Sequence, residues 1–96
     1  MGISELIGQQ KKVILAVASQ YGASYVRVFG LVARGTVDED SDIDLLVDLE
    51  PGRSLFDLGG LLMELRKLLG HNVDVVSPAG LRPRIRERVL KEAVEL

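Results

Sequence analysis

The sequence predicts a small α/β (α+β) fold. The expected architecture is a mixed sheet of about three strands flanked by helices, in the order α-β-α-β-α-β-α, where the second α is a short turn or helix between the first two strands. Three observations predict it. Apolar residues recur at helical spacing over residues 4–20, 55–69 and 82–96. Short β-branched or apolar runs stand between them at 25–29, 42–49 and 72–77. Glycine, proline and acidic clusters punctuate the joints. Helical and strand patterns that alternate in this way place helices against a sheet.

Taken in order, residues 4–20 read as a helix. Ile7, Ile14, Val17, Ala18 and Tyr21 share one face, and Gln9, Gln10, Lys11 and Lys12 turn outward. Gly22 closes it, as a residue free to adopt positive φ does. Residues 25–29, with Tyr25, Val26, Val28 and Phe29, read as a strand. Gly30 to Gly35 breaks that strand, and 36–41 is a polar, acidic loop. Residues 42–49 form the second strand, whose nearly continuous apolar run predicts cover on both faces. Glu50-Pro51-Gly52-Arg53 is a turn by composition. Ser54-Leu55-Phe56-Asp57 has the form of a capping box, so a helix follows. Leu55, Leu58, Leu62, Leu65 and Leu69 make its apolar stripe, and Gly70 ends it. Gly59 and Gly60 inside that helix cost about 1 kcal/mol each relative to alanine, a cost that close packing against another backbone would explain. Residues 72–77 are a third, short strand, and 78–80 turn the chain. Residues 82–96 read as a final helix, with Pro83 tolerated in its first turn.

The bulk composition narrows the function. A chain of 96 residues fits one domain, 1–96. At 47% hydrophobic it has material for a core, yet a domain this small buries a modest share of its surface and gains from a partner. The absence of cysteine excludes disulfides and thiolate metal sites. The single histidine, His71, argues against a histidine-rich zinc site; it reads as a residue near a helix C-terminal dipole. No basic and apolar leader opens the chain, and no apolar run approaches the roughly 18 residues that cross a bilayer. A cytoplasmic protein without membrane contact is expected. The net charge of −2 hides an acidic middle, from Asp38 to Asp57, and a basic tail with Arg82, Arg84, Arg86, Arg88 and Lys91. That division argues against a plain nucleic-acid-binding surface.

The chemistry concentrates in Gly30-Leu31-Val32-Ala33-Arg34-Gly35 and Asp42-Ile43-Asp44. Alternate side chains of a strand share a face, so Asp42 and Asp44 project together, about 6–7 Å apart along the chain. Two carboxylates so placed can reach one divalent cation, and magnesium prefers such oxygen ligands together with phosphate oxygens and water. The glycine-bounded turn is backbone that can approach a phosphate. Arg34 is either a solvated surface residue or a phosphate contact. Asp74 stands between valines in the third strand, where a buried and unpaired carboxylate would be costly. It therefore faces either a water-exposed rim or a cation. If the third strand lies beside the second, Asp74 joins the Asp42-Asp44 pair.

These residues resemble the minimal nucleotidyltransferase family, a compact branch of the DNA polymerase beta-like nucleotidyltransferases. The resemblance rests on Phe29-Gly30, Ala33-Arg34-Gly35, Ser41-Asp42-Ile43-Asp44, Val73-Asp74-Val75-Val76 and the tail Leu81 to Arg86. It covers nearly the whole chain. It implies the polymerase beta-like fold, ATP as substrate and Mg2+ as cofactor. It also implies an antitoxin that transfers AMP to a tyrosine of a partner HEPN toxin, a small helical ribonuclease, with which it can form a hetero-oligomer. On the same resemblance Asp42 and Asp44 ligate the metal. Asp74 completes the site or helps activate the acceptor hydroxyl. Gly30 and the backbone around Leu31 cradle the triphosphate, and Arg34 supports that loop or contacts phosphate. The chain departs from the family in one place: Leu31 stands where the family has serine. A hydrogen bond lost to a charged group is worth about 1.5–3 kcal/mol, or about ten- to a hundredfold in affinity or rate. A non-catalytic or weakly catalytic antitoxin that neutralises its partner by binding is therefore the alternative expectation.

Overall fold

The computed structural model describes residues 3–30 and 42–96. Within them the helices are α1 (Ile3–Gln9), α2 (Lys11–Gln20), α3 (Leu55–Leu69) and α4 (Pro83–Glu92). The strands are β1 (Ala23–Phe29), β2 (Ile43–Leu49), β3 (Val73–Val76) and β4 (Val94–Glu95). The stretch predicted as one helix over 4–20 is two helices, parted at Gln10 (φ −98°, ψ 8°). Gln10 still donates to the Leu6 carbonyl, and Ile14 to that of Gln10, so the path of the chain is barely diverted.

The sheet is mixed, as expected, but has four strands in the order β3-β2-β1-β4. β1 pairs antiparallel with both β2 and β4, and β2 pairs parallel with β3. The fourth strand corrects the sequence reading, which continues the last helix to Leu96. The helix ends at Glu92, and Ala93 is extended (φ −67°, ψ 138°). Val94 then pairs with Val28 and Glu95 with Arg27, and the Leu96 amide donates to the Val26 carbonyl. Pairing with the otherwise open edge of β1 outweighs continued helix for these last residues, and a two-residue edge strand offers little to a foreign strand.

One face of the sheet carries the core. Ile43, Leu45 and Val47 of β2, Val26 and Val28 of β1 and Val73 of β3 pack with Ile14 and Ala18 of α2 and with Leu58, Leu61, Leu65 and Leu69 of α3. Leu46 is also fully buried but lies outside this cluster, on the opposite face. The expectation of cover on both faces of β2 therefore holds. α4 carries the chain from the β3 edge to the β4 edge, and Val89 is its buried residue. Arg86 anchors α4 by donating to the carbonyls of Pro78 and Leu81.

The Arg27 side chain shares the face of Leu46. It donates to Asp48 at 2.8 Å and to the Tyr25 carbonyl at 3.1 Å, and its guanidinium lies over the Tyr25 ring. These contacts hold a bulge between Ser24 and Arg27 in which Tyr25 takes φ +49°. A non-glycine residue in that region costs about 1–2 kcal/mol.

α3 begins with the predicted capping box: the Ser54 side chain accepts from the Phe56 amide, and Asp57 accepts from the Ser54 amide. Its apolar stripe differs from the predicted one. Leu61 is in the core, Leu62 is half-buried, and Leu55 is exposed at the helix start. The two glycines also part company. A Cβ on Gly60 would lie 2.5 Å from the Tyr21 ring, whereas one on Gly59 would meet nothing within 4 Å. Close packing thus accounts for Gly60 alone, and the neighbour is an aromatic ring, not the backbone expected from the sequence.

A paired prediction follows. In the isolated chain, Gly59→Ala should add about 1 kcal/mol of stability, a rise in Tm of roughly 4–8 °C for a domain of this size. Gly60→Ala should gain nothing, because the new methyl displaces the Tyr21 ring. Equal gains in thermal melts of the two variants would contradict this assignment.

Candidate active site

The candidate site forms where β2 and β3 begin and β1 ends. β2 is central, so its first residues are held from both sides. The Ile43 amide donates to the Asn72 carbonyl at 2.9 Å, which fixes the start of β2 against the start of β3. The parallel register then sets Asp44 beside Asp74, while the antiparallel register sets it beside Phe29. Neighbouring strands lie about 4.8 Å apart, and residues paired across them share a face. Asp44 and Asp74 are therefore brought together on the face opposite the main core, as the sequence reading expects if the third strand lies beside the second.

Asp44 is half-buried, whereas Asp42 and Asp74 are exposed. Burial pushes the Asp44 carboxyl above the ordinary carboxylate range, and the charges of Asp74 and then Asp42 push it further. The charges of both other predicted acids therefore reach Asp44. Gly30 also belongs to this group. It adopts φ +74°, and a Cβ there would fall 2.6 Å from a carboxylate oxygen of Asp44. A residue without a side chain is what allows the end of β1 to approach that carboxylate. Leu31 and Arg34, the other predicted nucleotide-binding residues, lie outside the described residues.

Sequence reasoning misses one neighbour of the site. Arg66, in the last turn of α3, donates to the Val73 carbonyl at 3.0 Å and places its terminal nitrogen 3.8 Å from Asp74. The available signal was a base near the C-terminal end of a helix, with an acid just beyond the Gly70 cap. Asp74 thus sits at a water-exposed rim and beside a cation at once.

The donor set suits a hard divalent cation. Its oxygens are carboxylates, and their mutual repulsion is what a cation relieves. Among the described residues no group of three histidine, aspartate or glutamate side chains is placed to hold a metal ion.

Comparison with known proteins places the chain in a family. Residues 10–96 match the nucleotidyltransferase domain family, and the chain belongs to that family. It is 38% identical over 90 residues to a candidate protein adenylyltransferase of Methanocaldococcus jannaschii, a match covering 94% of this chain and 97% of the relative. It is 41% identical over 75 residues to the protein adenylyltransferase MntA of Thermococcus cleftensis, covering 78% of this chain and 76% of that one. A solved structure of a candidate minimal nucleotidyltransferase superposes with a TM-score of 0.89 at 49% identity, covering 100% of this chain and 97% of the other. A toxin-antitoxin structure with AMP-PNP shares the fold at 20% identity, with a TM-score of 0.76 over 90% of this chain and 70% of that one. Among the described residues no helix is long and apolar enough to cross a membrane.

The crowding at Asp44 has a measurable consequence. Its folded-state pKa is raised, so its favourable contribution to stability is full below the ordinary carboxylate range and is lost as pH rises through the raised value. Asp44→Asn should therefore melt above the wild type at pH 7 without metal, and the gap should shrink on acidification. A variant that melts at or below the wild type at pH 7, or a gap that widens in acid, would contradict the electrostatic account.

Proposed function

We propose that this chain is a minimal nucleotidyltransferase antitoxin. It transfers an adenylyl group from ATP to a tyrosine hydroxyl of a partner toxin of the HEPN type, with Mg2+ as cofactor. The observation that carries this reading is the register of β2 on β3, which sets Asp44 beside Asp74 with Asp42 two residues away. The protein adenylyltransferases among its relatives support the reaction type, and the shared fold of toxin-antitoxin structures supports the setting.

In this reaction the tyrosine oxygen attacks the α-phosphorus of ATP. The bond from that phosphorus to the bridging oxygen breaks, and pyrophosphate departs. Asp42 and Asp44 would hold the metal, which when bound supplies positive charge to the phosphates and polarises them. Asp74, at the exposed edge of the sheet, is placed to complete that ligand set or to accept the proton released by the tyrosine hydroxyl. Arg66 brings a positive charge to 3.8 Å from the Asp74 carboxylate. Gly30 lets the triphosphate approach the end of β1 without a side chain in the way, and Arg34 supports that turn or contacts phosphate.

Leu31 favours a second reading, neutralisation of the partner by binding alone. A leucine side chain cannot donate the hydrogen bond to phosphate that a serine would. The test mixes the chain with the protein encoded beside its gene, ATP and Mg2+, and weighs the neighbour by intact mass spectrometry. The transferase reading expects a gain of one or more adenylyl groups, and a fall of at least about a hundredfold in rate for Asp44→Asn. An unmodified but tightly bound neighbour would sink it in favour of occlusion. Leu31→Ser should raise the rate about ten- to a hundredfold; an unchanged rate would show that the side chain at this position is not used.

A further inference from the structure

Arg66 joins the crossover helix to the edge of the sheet. β3 is an edge strand. Just before it, Asn72 turns its carbonyl toward β2, where the Ile43 amide donates to it at 2.9 Å. The next carbonyl, that of Val73, therefore faces the open side of the edge. Arg66 reaches that carbonyl from the last turn of α3, its Nε donating at 3.0 Å. A guanidinium is planar and always charged, so this bond also limits where its terminal nitrogens can lie. One of them stands 3.8 Å from a carboxylate oxygen of Asp74.

The three acids are thereby made unlike. Among the described residues no basic side chain is paired with Asp42 or Asp44. Asp74 has one beside it, and its own side chain is 60% exposed at the rim. A fixed positive charge next to a carboxylate repels an arriving divalent cation. It does not repel a neutral hydroxyl, and the carboxylate keeps lone pairs to accept from one. Magnesium is commonly held by one or two carboxylates together with substrate phosphates, so Asp42 and Asp44 suffice for that task.

We propose that Arg66 is a positioning residue that withholds Asp74 from the cation and keeps it for the acceptor hydroxyl. The identity of the acceptor rests on the adenylyl-transfer reading, which leaves Asp74 either of two roles; Arg66 selects the second. The tyrosine proton passes to an Asp74 oxygen as the tyrosine oxygen bonds to the α-phosphorus, and pyrophosphate leaves with the electron pair of the broken bond. Arg66 takes no part in these bonds and acts through Asp74.

The test has two independent arms. The first titrates Mn2+ alone into the full chain, followed by electron paramagnetic resonance, at about 0.15 M salt so that distant charges are largely screened. Arg66→Gln keeps a side chain that can donate to the Val73 carbonyl but loses the charge. It should bind Mn2+ at least about threefold more tightly than the wild type, because Asp74 joins the ligands. Asp74→Asn alone should change the affinity by less than about twofold. The gain should vanish when the two substitutions are combined, and Arg66→Lys, which keeps the charge, should bind as the wild type does. A residue that merely clamps the sheet edge would leave Mn2+ affinity unmoved in Arg66→Gln, and that result overturns the proposal. So does a gain that persists in the double variant, or a clear loss of affinity in Asp74→Asn alone. The second arm measures AMP transfer to the protein encoded beside the gene. Arg66→Gln should lower kcat at least about tenfold with KM for ATP unchanged, and Arg66→Lys should restore most of it. An undiminished kcat in Arg66→Gln overturns the proposal. A wild type that transfers no AMP removes the enzymatic reading, and the Mn2+ arm still decides whether Arg66 withholds Asp74 from the cation.

Discussion

The parallel pairing of β2 with β3 is the constraint on which the rest of the molecule depends. The backbone bond from Ile43 to the Asn72 carbonyl starts the ladder, and the register that follows sets Asp44 against Asp74. A parallel pair cannot be joined by a tight turn. It needs a crossover, usually a helix, and α3 supplies it. The same helix that buries Leu58, Leu61, Leu65 and Leu69 in the core therefore also delivers the third carboxylate. A slip of one residue in this register would send Asp44 toward the apolar core and Ile43 or Leu45 toward the site. The complete burial of Ile43, Leu45 and Val47 is what forbids the slip.

Stability and chemistry pull against each other at this point. Like charges gathered on a half-buried residue work against the fold, and the apolar face of the sheet offsets them. The sheet itself is kept regular around the site, and its irregularities lie elsewhere. The bulge at Tyr25 is at the far end of β1 and is held by Arg27. The short strand β4 closes the edge of β1. On the β3 side, Arg66 links the crossover helix to the strand it precedes. Core and site are thus tied together through α3.

Much of this could be read from the sequence, and for identifiable reasons. The strand at 42–49 is a nearly continuous apolar run bounded by turn residues, and the helix at 55–69 has a helical period and clear caps, so their type and place emerge directly. The capping box at Ser54 and Asp57 forms as the residues predict. The grouping of Asp42, Asp44 and Asp74 follows once β3 lies beside β2. Other features depend on partners distant in sequence. The extended tail at Val94–Glu95 is dictated by the open edge of β1, which no local pattern reveals. Gly60 is explained by Tyr21, far away in the chain, while its neighbour Gly59 is not. Arg66 reads locally as one more base near a helix end, and only the fold turns it toward Asp74.

The central claim is that Asp44 and its neighbours form a cation site shared with nucleotide phosphates. Titration of Mn2+ followed by electron paramagnetic resonance, with and without ATP, tests it most directly. Mn2+ should bind the protein alone weakly and much more tightly when ATP is present, and that enhancement should be lost in both Asp42→Asn and Asp44→Asn. Mn2+ binding that is indifferent to ATP, or that survives either substitution unchanged, would contradict it.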